Sequence, residues 1–151
     1  MKTIIVNKGR SSQGKSKTII KTAELLKQQY PNAIILFEES GDDDIKMMLS
    51  IDAIKIGIES KGDPNSRLKN SISEFTEQNC NIILCASRTN GSTVNAIRKH
   101  RTQGYTITWV ANARNNDYSE QQQNELNELS ATYFLGIIKH LITQYRITHQ
   151  Y

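Results

Sequence analysis

The stretch GRSSQGKSKTII, Gly9 to Ile20, decides how the rest of this sequence is interpreted. It contains a glycine, four intervening residues and then the triplet Gly14-Lys15-Ser16. A short apolar run, TIIV at positions 3–6, precedes it. Apolar residues at helical spacing follow it: Ile19, Ile20, Ala23, Leu26 and Tyr30. The pattern predicts a buried strand, a glycine-rich turn and a helix, in that order.

This segment resembles the Walker A motif of the P-loop NTPase superfamily, and the surrounding chain resembles a small P-loop kinase. The resemblance implies a site for ATP and Mg²⁺, in which Lys15 reaches the β- and γ-phosphates and the Ser16 hydroxyl ligates the ion. Glycines let consecutive backbone N–H groups converge on an anion, and the helix that follows adds its positive end. The residues implied to hold the nucleotide are Gly9, Arg10, Ser11, Ser12, Gln13, Gly14, Lys15, Ser16 and Lys17.

Three further apolar runs indicate strands: AIILF at 33–37, IILCA at 82–86 and TITWVA at 106–111. Runs that are apolar on both faces are typical of parallel strands covered by helices. Strands alternate with helical patterns along the chain, and 151 residues suit one compact domain. We expect a single nucleotide-binding domain over 1–151, an α/β three-layer sandwich with a mostly parallel sheet of about five strands and the P-loop after the first strand.

The segment 45–58 has a different pattern, because apolar and polar residues alternate on both sides of Asp52-Ala53. Two period-2 arms joined by a short turn look like a β-hairpin with one solvated face. The second arm, 54–58, also fits an inner strand of the sheet. Periodicity alone does not choose between the two.

The helix after the glycine loop is expected to end at Pro31, because proline disfavours helical backbone in the residue before it. Ser119 and Gln122 form a capping-box pattern that opens the last and longest helix. Its core face is predicted as one stripe at helical spacing: Leu126, Leu129, Tyr133, Ile137, Leu141 and Tyr145.

A P-loop site needs a carboxylate at a strand end to hold Mg²⁺ or its water. Glu38, in the pair after AIILF, is a candidate for this role or for the general base of a kinase-like reaction. Glu59 ends the 54–58 arm, and Asp63 follows in ESKGDPNS, where a γ-phosphate sensor is also expected. Aspartate is usual in the superfamily, so glutamate at a strand end is a departure from its pattern. The candidate metal ligands are Ser16, Glu59 and Asp63.

Other candidates follow the third and fourth strands. Arg88 lies at the end of the run at 82–86, where ligands collect in open α/β sheets, and is a candidate phosphate clamp. Asn112 and Arg114 follow the last strand, a position that touches the nucleotide base in many P-loop kinases. The guanine signature of GTPases is absent there, since Ala113 occupies a position where that signature requires lysine.

The net charge of +4 permits an anionic ligand or nucleic acid without requiring either. The run RKHR at 98–101 motivates a nucleic-acid interpretation, although such runs are more often solvated helix faces. No segment has the ~20 apolar residues that a membrane span needs, so no membrane partner is expected. The two cysteines have neither metal-ligand nor redox spacing, and a cytoplasmic location is the default expectation.

The sequence thus predicts an ATP-binding P-loop protein that transfers the γ-phosphoryl group to a small acceptor, with Lys15, Arg88 and either Glu38 or Glu59 as catalytic residues. The alternative is a module that hydrolyses or senses a nucleoside triphosphate together with a protein partner. A weaker alternative is a nucleic-acid-binding ATPase, whose binding to DNA or RNA would depend steeply on salt.

Overall fold

A computed structural model describes residues 1–10 and 14–149 of the chain. In chain order its elements are β1 (Lys2–Lys8), α1 (Lys15–Gln29), β2 (Ile34–Ser40), β3 (Ile45–Ile51), β4 (Ile54–Glu59), α2 (Leu68–Glu77), β5 (Ile82–Ser87), α3 (Ser92–Arg98), a 3₁₀ turn (Lys99–Gln103), β6 (Tyr105–Ala111) and α4 (Glu120–Thr148). The protein is therefore α/β, with six strands and four α-helices in the described residues.

The sheet has the strand order β2-β3-β4-β5-β1-β6. The four strands β4, β5, β1 and β6 run parallel, whereas β3 is antiparallel to both β2 and β4. The turn between β3 and β4 consists of Asp52 and Ala53, with φ of 50° and 68°. Positive φ at both central residues is what a tight type I′ turn requires. The sheet is mostly parallel, with an antiparallel extension at one edge and one strand more than expected.

Helices cover both faces of the sheet. On one face α1 and α4 pack through residues such as Leu26 and Phe134 onto the odd-numbered residues of β3. On the other face α2 and α3 pack on the strands through Ile72, Phe75 and Ile97. Gly57 of β4 permits the close approach of α2, because a Cβ there would lie 2.5 Å from the Phe75 ring. Both cores end at the carboxyl edge of the parallel strands, where the loops collect.

The run AIILF does not form a buried parallel strand, so that prediction is wrong. It lies in β2, an edge strand that pairs only with β3 in the described part of the chain. Every residue of β2 is exposed, and the side chains of Ile34, Ile35, Leu36 and Phe37 are 42–63% accessible. A continuous apolar run shows that a strand forms but not how many neighbours it has.

The boundaries of α1 and α4 agree with the sequence. The helix α1 stops one residue before Tyr30-Pro31, and Ser119 and Gln122 make both hydrogen bonds of the capping box that begins α4. The predicted stripe of α4 is confirmed in its C-terminal half, where Ile137, Leu141 and Tyr145 pack against the core, and is wrong at Leu129 and Tyr133, which are exposed. The buried residues of α4 are Asn127, Ala131, Phe134, Ile138 and Ile142. Within the described residues no helix is long and apolar enough to cross a bilayer.

Candidate active site

The glycine loop, Gly9–Ser16, connects the carboxyl end of β1 to the start of α1. The Gly9 N–H donates to the Ser87 carbonyl at 2.9 Å, which ties the loop to the adjacent strand β5. Gly14 has φ of +78°, a left-handed conformation that few side chains adopt, and it immediately precedes the first helical residue. The predicted nucleotide-binding residues Ser11, Ser12 and Gln13 lie outside the described residues.

Lys15 folds back over this loop. Its Nζ donates to the carbonyl oxygens of Gly9 and Arg10, at 2.6 and 2.7 Å, and the residue is buried. Burial lowers the pKa of the Lys15 ammonium, and the positive charge of Arg88 lowers it further, while the carboxylate of Asp63 opposes both. A buried ammonium held by neutral carbonyls gains from an added anion. The Lys15 ammonium thus lies buried beside the glycine loop, with two neutral carbonyl oxygens as hydrogen-bond partners.

Ser16 and Lys17 continue from this lysine into the first turn of α1. The Ser16 Oγ donates to the Ser60 carbonyl at 3.1 Å, which connects the glycine loop to the residue after β4. Ser60 is itself fixed to Ile45 on β3 by two hydrogen bonds of 2.8 and 3.0 Å. Lys17 is exposed and lines the same cleft as Ser16. Ser16 therefore lines the cleft while its hydroxyl is bound to the residue after β4.

Glu59 is at the end of β4, but its carboxylate is fully buried and already bound. The Arg67 guanidinium donates to both carboxylate oxygens, at 2.7 and 3.2 Å, and the Ser71 hydroxyl and Lys61 N–H add two more hydrogen bonds. The hydrogen bond that Arg67 donates to Glu59 raises the pKa of the Arg67 guanidinium. The structure gives Glu59 the surroundings of a structural ion pair, and it does not line the cleft.

Asp63 lies in the cleft and is paired with Arg88. The Arg88 Nε donates to Asp63 Oδ1 at 3.0 Å, and both side chains remain partly exposed. Asp63 lines the cleft together with Lys15, whereas Arg88 does not line it. Gly62 brings this loop against β5, since a Cβ at Gly62 would lie 2.7 Å from the Ala86 carbonyl carbon. Asp63 is thus the predicted carboxylate that the structure brings to the glycine loop.

Glu38 is not brought to this site. It lies on β2, where Lys27 of α1 forms an ion pair with its carboxylate. Three strands separate β2 from β1, which corresponds to about 19 Å at the usual spacing between strands. The neighbouring Glu39 is mostly exposed and lies 3.5 Å from Arg67. The structure therefore gives Glu38 no access to a phosphate bound at Lys15.

The two predicted base-contacting residues have different surroundings. The Asn112 N–H donates to the Lys8 carbonyl at 2.7 Å, and its Oδ1 accepts from Asn7 Nδ2 at 3.1 Å, so this residue is tied to β1. Arg114 lines the cleft, and its Nε donates to Asn116 Oδ1 at 3.1 Å. Of the two side chains, that of Arg114 faces the ligand space.

The first turns of α4 form a wall of the site that the sequence did not predict. The Asn127 amide is buried against Gly14, since a Cβ on that glycine would lie 3.1 Å from Asn127 Nδ2. The Gln123 Nε2 donates to Asn127 Oδ1 at 3.0 Å and to the Ala113 carbonyl at 3.2 Å. Tyr118 and Gln123 also line the cleft. The available signal was an asparagine at helical spacing from the apolar residues of α4, about two turns after the cap of that helix.

These walls enclose a cleft of about 1040 Å³. The start of α1, the loop at 60–66 and the segment at 114–127 surround it, and the Asp43-Asp44 turn between β2 and β3 lies at its rim. Ligand cavities for small molecules usually have 300–1,000 Å³. The cleft is therefore large enough for a small-molecule ligand.

The possible metal ligands of the cleft are few, so they suit a Mg²⁺ ion that is bound together with a nucleotide better than a metal that is held by protein alone. Ser16 and Asp63 offer hard oxygen ligands, which Mg²⁺ prefers. Among the described residues no group of three or more His, Cys, Asp or Glu side chains could hold an ion. Proteins commonly bind Mg²⁺ through one or two side chains and the phosphates of the substrate. The residues present fit that arrangement.

The basic run RKHR does not form one uniform surface. Arg98 ends α3 and its guanidinium lies 5.5 Å from the centre of the Trp109 ring. His100 is buried, with Nδ1 3.0 Å from Gln103 Oε1, whereas Lys99 and Arg101 are exposed. Two of the four side chains are thus occupied by contacts within the protein.

No family model matches the chain, and no curated protein is significantly similar to it.

Proposed function

We propose that this chain is a P-loop protein that binds ATP with Mg²⁺ and transfers the γ-phosphoryl group to a small acceptor in the same cleft. The observation that carries the proposal is the position of Lys15. Its buried ammonium is held over the carbonyls of Gly9 and Arg10, at the end of a parallel strand and the start of a 15-residue helix. Strand, glycine loop, lysine and helix together support a polyphosphate site.

The polyphosphate would replace the contacts that Lys15 now makes with the loop. Backbone N–H groups at the start of α1 and the helix dipole would face its oxygens, and the lysine would neutralise charge on the β- and γ-phosphates. The Ser16 hydroxyl would hold Mg²⁺ together with oxygens of the nucleotide. The ion would supply neutralisation of the negative charge on the phosphates.

Asp63 is the residue of this site suited to accept the proton of the acceptor. Its Oδ1 is held by Arg88, which leaves Oδ2 for an acceptor hydroxyl. The acceptor oxygen would attack the γ-phosphorus as its proton passes to Asp63, and the bond from the γ-phosphorus to the β–γ bridging oxygen would break, releasing ADP. Most of the rate enhancement would come from positioning of the two reactants and from stabilisation of the negative charge on the phosphates. Glu59 would support this loop without contacting the reactants.

One observation favours the alternative, a module that hydrolyses or senses the nucleotide with a protein partner. Lys61 and Arg67 lie 3.3 and 3.6 Å from the carboxylate of Asp44, in the turn between β2 and β3. These ion pairs connect the loop beside the γ-phosphate position to the antiparallel edge of the sheet. A loop that moves with the γ-phosphate would change contacts at that edge.

The test uses ATP labelled at the γ-phosphate, offered with nucleosides, sugars and hydroxy acids as acceptors. The phosphotransferase proposal predicts label in one acceptor product and at least tenfold less in Asp63→Asn, with Mg·ATP binding retained. Asp117→Asn is the control, because the Asp117 side chain is exposed and does not line the cleft. Label released only as inorganic phosphate would favour hydrolysis. A raised Mg²⁺ requirement in Asp63→Asn would assign that residue to the ion instead of the acceptor.

A further inference from the structure

The outer edge of β2 is an unpaired strand edge with large apolar side chains. Within the described residues β2 pairs with β3 on one side and with no strand on the other. Its N-terminal half, Ile34–Phe37, contains no charge, proline or glycine. Natural edge strands usually carry lysine, proline or inward-pointing charge, which prevent pairing with another chain. Charge and proline are missing in this half of β2, and the β-bulge that it does contain leaves its apolar side chains exposed.

A β-bulge gives this segment an unusual arrangement of side chains. Ile34 lies opposite Ser50 and Phe37 opposite Met48, so the register shifts between Ile35 and Phe37. Ser50 and Met48 are two residues apart on β3 and therefore point to the same face. Ile34 and Phe37 consequently share the α2 face of the sheet, although residues three apart in a regular strand point to opposite faces.

Sharing a face allows this strand to pair with a copy of itself. In an antiparallel pair related by a two-fold axis perpendicular to the sheet, Ile34 of each copy would lie opposite Phe37 of the other. Between these pairs, Ile35 of each copy would lie opposite Leu36 of the other. An isoleucine opposite an aromatic residue is a favourable cross-strand pair.

The charges of β2 favour this register over a parallel in-register one. Glu38 would lie opposite Ala33 of the second copy, and Glu39 would lie beyond the paired strand residues, beside the turn at 31–32. A parallel in-register pair would place each glutamate beside its equivalent, and like charges opposite one another are destabilising. The antiparallel register therefore covers the apolar half of the strand and keeps the carboxylates apart.

We propose that β2 is the interface of a two-fold homodimer, in which the two six-stranded sheets join edge to edge with Ile34 opposite Phe37 of the second copy. A closed two-fold contact of this kind is the commonest form of homo-oligomer. The proposal does not rest on the nucleotide site, because the pairing segment 34–37 does not line the cleft.

Sedimentation equilibrium of the full chain tests the dimer. The expected species has twice the monomer mass of 17.1 kDa. Leu36→Lys places a charge in the pairing segment and is expected to raise the dissociation constant roughly tenfold or more, about 1.4 kcal/mol. Leu129→Lys on α4, where the leucine is 69% exposed, is the matched control and should remain dimeric. A wild-type chain that stays monomeric, or a Leu36→Lys chain that dimerises as well as wild type, would overturn the proposal.

Cysteine cross-linking tests the register. Residues directly opposite in an antiparallel pair have Cα atoms about 4.5–5.5 Å apart, within the range that a disulfide spans. Ile34→Cys mixed with Phe37→Cys should therefore form a disulfide-linked dimer on oxidation, whereas each variant alone should not. The native Cys80 and Cys85 are buried and do not compete. A dimer that cross-links equally in the single variants would reject this pairing.

Discussion

The Arg67 guanidinium binds both carboxylate oxygens of Glu59, with Nε–Oε1 at 2.7 Å and Nη2–Oε2 at 3.2 Å. Glu59 has no solvent-exposed surface, so this pair neutralises a carboxylate that water cannot reach. The same glutamate accepts from the backbone N–H of Lys61, which begins the loop that carries Asp63. The ion pair thus fixes one wall of the candidate active site.

Arg67→Ala is expected to lower the free energy of unfolding by about 3 kcal/mol, because breaking a buried ion pair leaves an uncompensated charge. Arg146→Ala removes an arginine from the exposed pair with Asp52 and should cost about 0–1 kcal/mol. Urea unfolding of both variants makes the comparison. Equal, small losses in the two variants would show that Glu59 does not depend on Arg67, and its role as a base or metal ligand would then have to be considered again.

Gly14→Ala is expected to weaken nucleotide binding and to lower stability. The alanine would have to adopt φ near +78°, and its Cβ would lie 3.1 Å from Asn127 Nδ2. Gly104→Ala is the matched control, since Gly104 has φ of +89° but no atom within 4 Å of an added Cβ. The left-handed backbone should cost each variant about 1–2 kcal/mol.

The difference between these two variants isolates the contact with Asn127. Gly14→Ala should lose more stability than Gly104→Ala in thermal unfolding, and Asn127→Ala in the same chain should recover part of that excess. If the two glycine variants are equally destabilised and Asn127→Ala recovers nothing, α4 does not support the glycine loop.

Tyr105→Phe is expected to lower stability by about 1 kcal/mol at neutral pH, because the Tyr105 hydroxyl donates to the Cys80 carbonyl at 2.6 Å. Burial raises the pKa of Tyr105 to about 12, above its ordinary value of 10.0. The unfolded state then releases the phenolic proton first as pH rises. The stability provided by the neutral phenol is full below pH 10 and is lost progressively between 10 and about 12.

Urea unfolding of wild type and Tyr105→Phe at about pH 8 and about pH 11 tests this pH dependence. The unfolding free energy of wild type should exceed that of Tyr105→Phe by less at the higher pH. A difference that is unchanged or larger there would mean that the folded protein does not hold the phenol in its neutral form.

The local features of the fold could be predicted from the sequence because they depend on near neighbours. The end of α1 before Pro31 and the capping box of Ser119 and Gln122 are properties of a few consecutive residues. The place of β2 in the sheet depends on distant segments. Its apolar run is similar in composition to β5, but β5 lies between two strands, whereas β2 has one neighbouring strand in the described part of the chain. No local pattern distinguishes these positions.

The same limit applies to the candidate site. The glycine loop is one continuous segment, so its place between β1 and α1 could be predicted, and Lys15 and Ser16 lie together in the cleft. Glu59, Glu38 and Asp63 were equivalent carboxylates in sequence. In the structure they differ because each forms an ion pair with a basic residue from another part of the fold. Arg67 pairs with Glu59, Lys27 with Glu38, and Arg88 with Asp63. Asn127 could not be predicted because its partner Gly14 is more than a hundred residues away.

Calorimetric titration of Mg·ATP into wild type, Lys15→Ala and Lys21→Ala measures whether Lys15 binds the phosphates of ATP. Lys21 is on the same helix, partly exposed and paired with Glu24, so it serves as the matched control. We expect equal affinity for wild type and Lys21→Ala and about a tenfold to hundredfold loss in Lys15→Ala, because hydrogen bonds to a charged group are lost. Equal binding by all three proteins, or no binding by wild type, would contradict this expectation.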